Sequence, residues 1–436
     1  MKQLVTIAII AISLLITTGC KKQHKEYVDI ADWCRPGMTE PITAQEWAKA
    51  NNAFGLKFLR KTKGNAVFSP YSIERALGMT LDGACGTTAT EMLAALEMPN
   101  ARRLSLTGRD VDDAMKSVNA DTMLEIDNTL WPDKSLTLPK DFLARISASY
   151  RNKTVALDYA ADPEKARVTI NDDIAKTTHD RIKDLIPSGN ITSATQLILT
   201  NAVYFKSKWE KSFDKKSTKT EKFYNADKPI ETTIMHQTGY DSRVCIANDY
   251  AIYDLPFGSS KDDDDKGAYV MRIVLPTIDD THPMEKRIEL LENVEKQLPG
   301  DIVSNCHYEF FDNVYVAIPK FKLAPPSFSI KEKLKSMGMK KAFSDDAEFY
   351  AMPNKTPNPS DPTSYLMISD VLHNAFIEID ENGGEAAAAT AVIMNRSRMA
   401  TPKTNDYYFK VVHPFIYMII EKSTGAAIFM GRVTDL

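Results

Sequence analysis

Nucleophiles, bases and metal ligands are plentiful in this chain, but their spacing does not assemble a catalytic centre. The seven histidines are scattered, and none stands near a serine or cysteine in a local catalytic signature. His236, His307, His373 and His413 lie beside strand-like segments, where a hydrogen-bonded structural role is the default. There is no G-x-S-x-G elbow, H-E-x-x-H pair, phosphate-binding loop or dinucleotide glycine pattern. The cysteines form no C-x-x-C pair and join no histidine at zinc spacing, so neither a metal nor a cofactor is expected. The run from Lys261 to Lys266 sets Asp262, Asp263, Asp264 and Asp265 side by side. It lacks the spaced oxygen ligands and turn glycine of a calcium loop and reads as a solvated loop tip. No catalytic residue is assigned, and an enzyme is not expected.

One further segment stands out by its composition. From Ile377 a strand-like stretch runs into Glu381-Asn382-Gly383-Gly384. Glu385, Ala386, Ala387, Ala388, Ala389 and Thr390 follow, then a polar, basic tip at Asn395-Arg396-Ser397-Arg398. Four alanines locally favour helix. As a strand, however, Gly384, Ala386, Ala388, Thr390, Val392 and Met394 would share one face. That face carries no charge and grows from very small to large. It could slide under a packed core without burying an unpaired charge; the alternative reading of the same pattern is a Gly-started, Ala-rich linker.

Bulk properties frame these segments. With 436 residues, 43% hydrophobic and 26% charged, the chain can bury a large core. The net charge of −4 and the absence of a basic, aromatic-interleaved block argue against nucleic-acid binding. Lys2 precedes a mostly apolar stretch from Leu4 to Ile16, the layout of a secretory signal and too short to span a bilayer comfortably. Thr17-Thr18-Gly19-Cys20 resembles a bacterial lipobox, with Thr17 where Leu is usual. Cleavage before Cys20 would free a thiol and an amino group for acyl chains, which anchor a protein without a spanning helix. The expectation is a signal peptide over 1–19, a lipidated tether over 20–45, and one domain over 46–436. It places the protein on the bacterial cell envelope, outside the cytoplasm, in the periplasm or facing outward. Cys34, Cys85, Cys245 and Cys306 can form disulfides in that setting, but their pairing is not legible. Cys85 is read as a small buried hydrophobe.

Elements that could position the small-residue run emerge from periodicity. Apolar residues at Trp47, Ala50, Phe54, Phe58 and Leu59 predict a helix over 44–60. A second helix is predicted over 72–79, entered through Ser69-Pro70 and capped by Ser72. Strands are predicted at Leu197–Phe205, Met271–Leu275, Val314–Ile318, Phe376–Ile379, Phe415–Glu421 and Ala427–Val433. Helices first and strands later, without regular alternation, imply an α+β class.

A family resemblance covers about residues 45–436. Glu381 to Thr390 looks like the reactive-loop hinge of inhibitory serpins. Asn65 to Ile73 resembles that family's early N-x-x-x-S-P-x-S-I segment, and Leu199 to Trp209 its central strand-and-tryptophan motif. Tyr253-Asp254-Leu255-Pro256-Phe257, Ile318 to Lys322, Leu334 to Phe343, His413-Pro414-Phe415 and Phe429 to Val433 follow in family order. Gly384 departs from the usual Thr or Ser, and Asp173 stands where Trp is common.

The resemblance implies a large central β-sheet, two smaller sheets, about nine helices and an exposed loop from Gly383 to about Lys403. It implies a suicide-substrate inhibitor of serine or cysteine proteases, acting as a monomer. The cleaved loop would enter the central sheet as a new strand and drag the acylated protease with it. Ser69, Ser72, Asn201 and His373 would form the polar cluster beneath the sheet where its strands part. The family's commonest loop length puts Ser397 before the cleaved bond, and lengths one shorter or longer give Arg396 or Arg398. A trypsin-like partner would select either arginine, because an acidic pocket pairs with guanidinium; an elastase-like partner would select Ser397. The alternatives are a serpin that binds without inhibiting and an envelope lipoprotein used for adhesion or ligand binding.

Two predictions follow from the sequence alone. Cys20→Ala should leave the N-terminal peptide unacylated by mass and shift the protein out of the membrane fraction, with inhibition by the folded body retained. Arg396→Ala combined with Arg398→Ala should abolish complex formation with trypsin on denaturing gels while sparing reaction with an elastase-like enzyme.

Overall fold

A computed structural model describes residues 30–116, 122–150, 153–180, 182–225, 228–239, 241–258, 268–278, 286–300, 307–325, 328–352, 366–384 and 405–436. Within these residues the α+β expectation holds. Eight α-helices are present: α1 (Ala44–Arg60), α2 (Pro70–Leu81), α3 (Gly86–Ala95), α4 (Leu104–Lys116), α5 (Lys140–Tyr150), α6 (Pro163–Thr177), α7 (Arg287–Gln297) and α8 (Lys331–Ser336). The strands form sheets of seven, six, four and two strands. Among the described residues there are thus three larger sheets, a two-stranded one and eight α-helices, in keeping with the expected mixed fold.

Continuous apolar runs explain the largest sheet. Tyr269–Pro276, Phe415–Glu421 and Ala427–Val433 are buried at every residue, as strands covered on both faces must be. The six-stranded sheet carries the candidate site. Its order is Phe321–Leu323, Ile377–Asp380, Gly383–Gly384, Leu197–Lys208, Thr122–Pro132, Lys153–Thr154. The long strand Leu197–Lys208 pairs antiparallel with Thr122–Pro132 from Ser207↔Thr122 to Leu197↔Pro132.

Helix α1 keeps its predicted bounds because both ends are signalled. Thr43 Oγ1 accepts from Glu46 N (3.2 Å), and Glu46 Oε2 accepts from Thr43 N (2.8 Å), a reciprocal cap. Helix α2 starts earlier than its apolar spacing suggested, and its cap is Ser69, not Ser72. Ser69 Oγ accepts from Ser72 N at 3.0 Å, while Pro70 fills the first helical position, where no N–H is needed. Every residue of α2 is buried, including two with charged side chains. Arg75 donates to Asp112 Oδ2 (3.1 Å) and Ser149 O (2.6 Å) and lies over the Tyr150 ring (4.1 Å). Tyr71 donates to the same carboxylate. This shell keeps the buried guanidinium protonated despite its desolvation.

The second half of the expected tether is not free. Ile30, Cys34 and Arg35 are buried, Thr39 bridges Ala101, and Asn100 Nδ2 donates to Pro36 O (3.0 Å). Cys34 is joined to Cys85 in a disulfide spanning 51 residues. Cys85 is buried, as expected, but as half of a crosslink rather than as a free hydrophobe. Cys245 is also disulfide-bonded. Closing a loop of that length removes denatured-state entropy equivalent to roughly 4 kcal/mol. Cys34→Ala should therefore lower the unfolding free energy by an amount of that order in a urea titration. Cys34→Ala with Cys85→Ala should cost no more than the single change, and reductant should shift the unsubstituted protein further than either variant, which keeps only the Cys245 disulfide.

Candidate functional site

The site is the place where the six-stranded sheet is incomplete. One edge of the long strand is paired with Thr122–Pro132 along its whole length. Its other edge meets partners at two points. Near one end Leu199 bridges Val371 in parallel; at the other, Ser207 and Lys208 pair with Gly384 and Gly383. Among the described residues, no strand is laddered onto this edge between those points. The slot has a closed foot and a mouth, and the two hinge glycines sit in the mouth.

They are delivered there by a tight turn out of Ile377–Asp380, with Ile379↔Gly384 and Asp380↔Gly383 in register. Asp380 Oδ1 accepts from Asn382 N (2.7 Å) and Gly383 N (3.2 Å), closing the turn on itself. Trp209 fastens the outside: its Nε1 donates to Asp380 O (2.8 Å) and its backbone N to Asn382 O (2.8 Å). The indole stacks flat on Phe257, with centroids 4.4 Å apart. Glu381 is buried, and its carboxylate takes Lys320 Nζ at 2.7 Å and Thr218 Oγ1 at 3.0 Å. Burial pushes its pKa up, but these donors outweigh that and hold it below the ordinary carboxylate value.

The two glycines are not equivalent. Gly383 has φ +141°, and a Cβ there would lie 2.2 Å from Ser207 O and 2.7 Å from Lys208 Cα. Backbone meets backbone, so only glycine fits. At Gly384 the nearest atom to an added Cβ is Phe205 Cε1 at 3.8 Å, ordinary contact. The departure from the usual Thr or Ser therefore leaves space rather than creating strain.

Below the slot, the structure brings together most of the predicted polar cluster. Ser69 N donates to His373 Nε2 at 3.2 Å, and both residues are buried. Ser72 lies one turn along α2; its buried hydroxyl has no hydrogen-bond partner among the described residues. Asn201 sits in the long strand directly across from Asn128. Beside it, Thr200 Oγ1 accepts from Trp131 Nε1 at 2.8 Å. Burial, then the nearby Lys333 charge, lowers the His373 pKa to about 3. The imidazole is thus neutral and available as an acceptor for Ser69.

Of the predicted hinge, Glu381, Gly383 and Gly384 are placed. Glu385, Ala386, Ala387, Ala388, Ala389 and Thr390 lie outside the described residues, as do Arg396, Ser397, Arg398, Cys20 and the Asp262 to Asp265 run. The roles of Lys320, Thr218, Asp380 and Asn128 were not legible beforehand. Lys320 was visible only as part of the Ile318 to Lys322 motif, and its contact with Glu381 joins residues far apart in sequence.

Comparison with known proteins agrees with this geometry. The model of the family Serpin (serine protease inhibitor) matches residues 49–436. An uncharacterized serpin-like protein of Thermococcus kodakarensis is 32% identical over 93% of this chain and 88% of its own length. Serpin B3 of Homo sapiens is 33% identical over 86% and 95%. The structure of Serpin48 from the insect Tenebrio molitor superposes with a TM-score of 0.73 at 25% identity, covering 90% of this chain and 98% of that one. The chain belongs to the serpin family, whose members are generally protease inhibitors.

Two outcomes test the site. Gly383→Ala should dislodge the turn and lower the denaturation midpoint clearly, whereas Gly384→Ser should stay within about 1 kcal/mol of the parent. Acidification should also weaken the fold through His373. The unfolded imidazole takes its proton near pH 6.5, but the folded one waits until about pH 3. Stability should therefore fall as pH drops from 7 toward 3, and His373→Asn should flatten that part of the profile.

Proposed function

We propose that the protein is a suicide-substrate inhibitor of serine or cysteine proteases that traps the acyl-enzyme by strand insertion. The observation that carries this reading is the slot: an edge of the long strand paired at both ends and, among the described residues, unladdered between, with Gly383–Gly384 already seated at the mouth. The segment between Gly384 and Asn405 is the bait. Cleavage near Arg396, Ser397 or Arg398 by a trypsin-like or elastase-like enzyme frees one end of it. The cleaved segment then continues the register that the two glycines begin. Roughly ten new backbone hydrogen bonds, at about 0.5–1.5 kcal/mol each, supply on the order of 10 kcal/mol. Before cleavage the open slot is a kinetically held state. No residue of the inhibitor acts as a catalyst.

The same reading places the mature chain on the bacterial envelope, held by acyl chains on Cys20. The disulfides at Cys34–Cys85 and at Cys245 support an oxidising compartment.

Incubation with trypsin and with elastase, followed by denaturing electrophoresis and mass analysis of the released C-terminal peptide, tests inhibition and locates the bond. Turnover of loop-cleaved protein without any denaturant-stable complex would favour a serpin that binds without inhibiting. Ala388→Glu tests insertion itself. In the register of Gly384, residue 388 returns to the same face, and an unpaired carboxylate there costs several kcal/mol to desolvate. The variant should be cut normally yet form no stable complex, while Ala387→Glu on the opposite face should be milder. Equal trapping by Ala388→Glu and the parent would overturn strand insertion.

A further inference from the structure

Two exposed aromatic side chains flank the crosslinked corner of the molecule. Trp33 is 70% exposed and adjoins buried Cys34; Tyr350 is 40% exposed and adjoins Ala351, which packs on Ile30, Cys34 and Cys85. Backbone bonds lock the corner further: Cys85 N donates to Glu348 O (2.8 Å), Gly86 N to Cys34 O (3.0 Å) and Ala351 N to Gly83 O (3.1 Å). Some of the charges beside the aromatics are paired: Asp32 with Arg102 at 2.7 Å, and Lys341 with Glu348 at 3.2 Å and Asp346 at 3.9 Å. Amphipathic indole and phenol rings suit the headgroup layer of a bilayer.

The corner lies toward the closed foot of the slot, away from its mouth. Val371 bridges Leu199 at the foot, Ile368 N donates to Ala342 O, and the chain following Ala342 reaches Glu348 and Met352, beside Gly83 and Cys85. The mouth is at Ser207 and Lys208. Only residues 21–29 separate Cys20 from Ile30. Fully extended they reach about 35 Å, and as a relaxed chain about 18 Å. Lys21, Lys22 and Lys25 in that stretch are attracted to anionic headgroups.

We propose that the Cys34–Cys85 corner is a membrane-seating surface that puts Trp33 and Tyr350 in the headgroup layer and turns the slot mouth away from the bilayer. This rests on the lipid-anchor reading for the native protein.

Tryptophan emission gives a direct test, because Trp47, Trp131 and Trp209 are buried and Trp33 alone of the four is exposed. The full chain purified from membranes is reconstituted into phosphatidylethanolamine–phosphatidylglycerol vesicles, with and without a lipid spin-labelled at the headgroup. Trp33 emission should be lost to the spin label and shielded from acrylamide, and Trp33→Phe should remove both effects. A second arm anchors the Cys20→Ala chain to nickel-chelating lipid through a hexahistidine tag replacing the leader. The same quenching is expected there, since the disulfide rather than the acyl group sets the orientation. An unmodified Cys20 peptide with no vesicle recovery in the first arm would sink the lipid-anchor reading while the second arm still decides the seating. Trp33 left open to acrylamide on vesicle-bound protein would overturn the proposal. So would shielding that grows with protein concentration without spin-label quenching, which would mark a contact between copies.

Discussion

A β-strand has two hydrogen-bonding edges, and among the described residues part of one edge of Leu197–Lys208 carries no strand in the middle of a sheet. That arrangement governs the rest of the structure. Backbone groups in a buried interior have to be paired, so an edge of this kind has to be held where it ends. It can persist only if both ends of the opening are fixed. The Leu199–Val371 bridge closes the foot, and the turn through Asp380, Glu381 and Asn382, fastened by Trp209, Phe213 and Lys320, fixes the mouth. The layers behind are correspondingly tight. The strands Tyr269–Pro276, Phe415–Glu421 and Ala427–Val433 are buried throughout, and Phe205 packs edge-on against Phe257 and Tyr269 across the interface.

Polar residues do different work above and below that opening. At the mouth, Glu381 is anchored by Lys320 and Thr218. At the centre, Ser69 at the start of α2 is bonded to His373, and Asn128 and Asn201 face each other in register on neighbouring strands. A neutral His373 costs far less to bury than a charged one and gives the α2 cap region an acceptor. Arg75 and Asp112, deeper in the same helix layer, are the opposite case: a desolvated ion pair with several supporting bonds, which fixes α2 instead of letting it slide.

What could be read in advance depended on how local the cause was. Helix α1 was legible to the residue because its apolar stripe starts just after a capping pair. The last two strands were legible because strands buried on both faces are unbroken apolar runs. The α2 cap was displaced from Ser72 to Ser69 because a proline at the first helical position hides the start of the apolar rhythm. Thr122–Pro132, with Glu125, Asp127 and Asn128 interrupting its apolar residues, did not look like a sheet strand at all; its partner supplies the reason for its conformation. The Cys34–Cys85 bridge was illegible for a related reason. Its first half lies in a segment whose composition reads as linker, and only its contacts with Asn100, Ala101 and the 348–351 loop give it a place. Glu381 and Lys320 were each visible in a motif, but their contact is a property of the fold.

Gly383 carries a consequence of a different kind. Of the two achiral residues here it is the crowded one, because the space where any L residue would put its first carbon is filled by main-chain atoms of Ser207 and Lys208. Genetic change at that codon has nowhere to go, since no encoded alternative is achiral. Variation in the turn is therefore displaced to its neighbours. Gly384, with room on its inner face, is the nearest dial that drift and selection can turn.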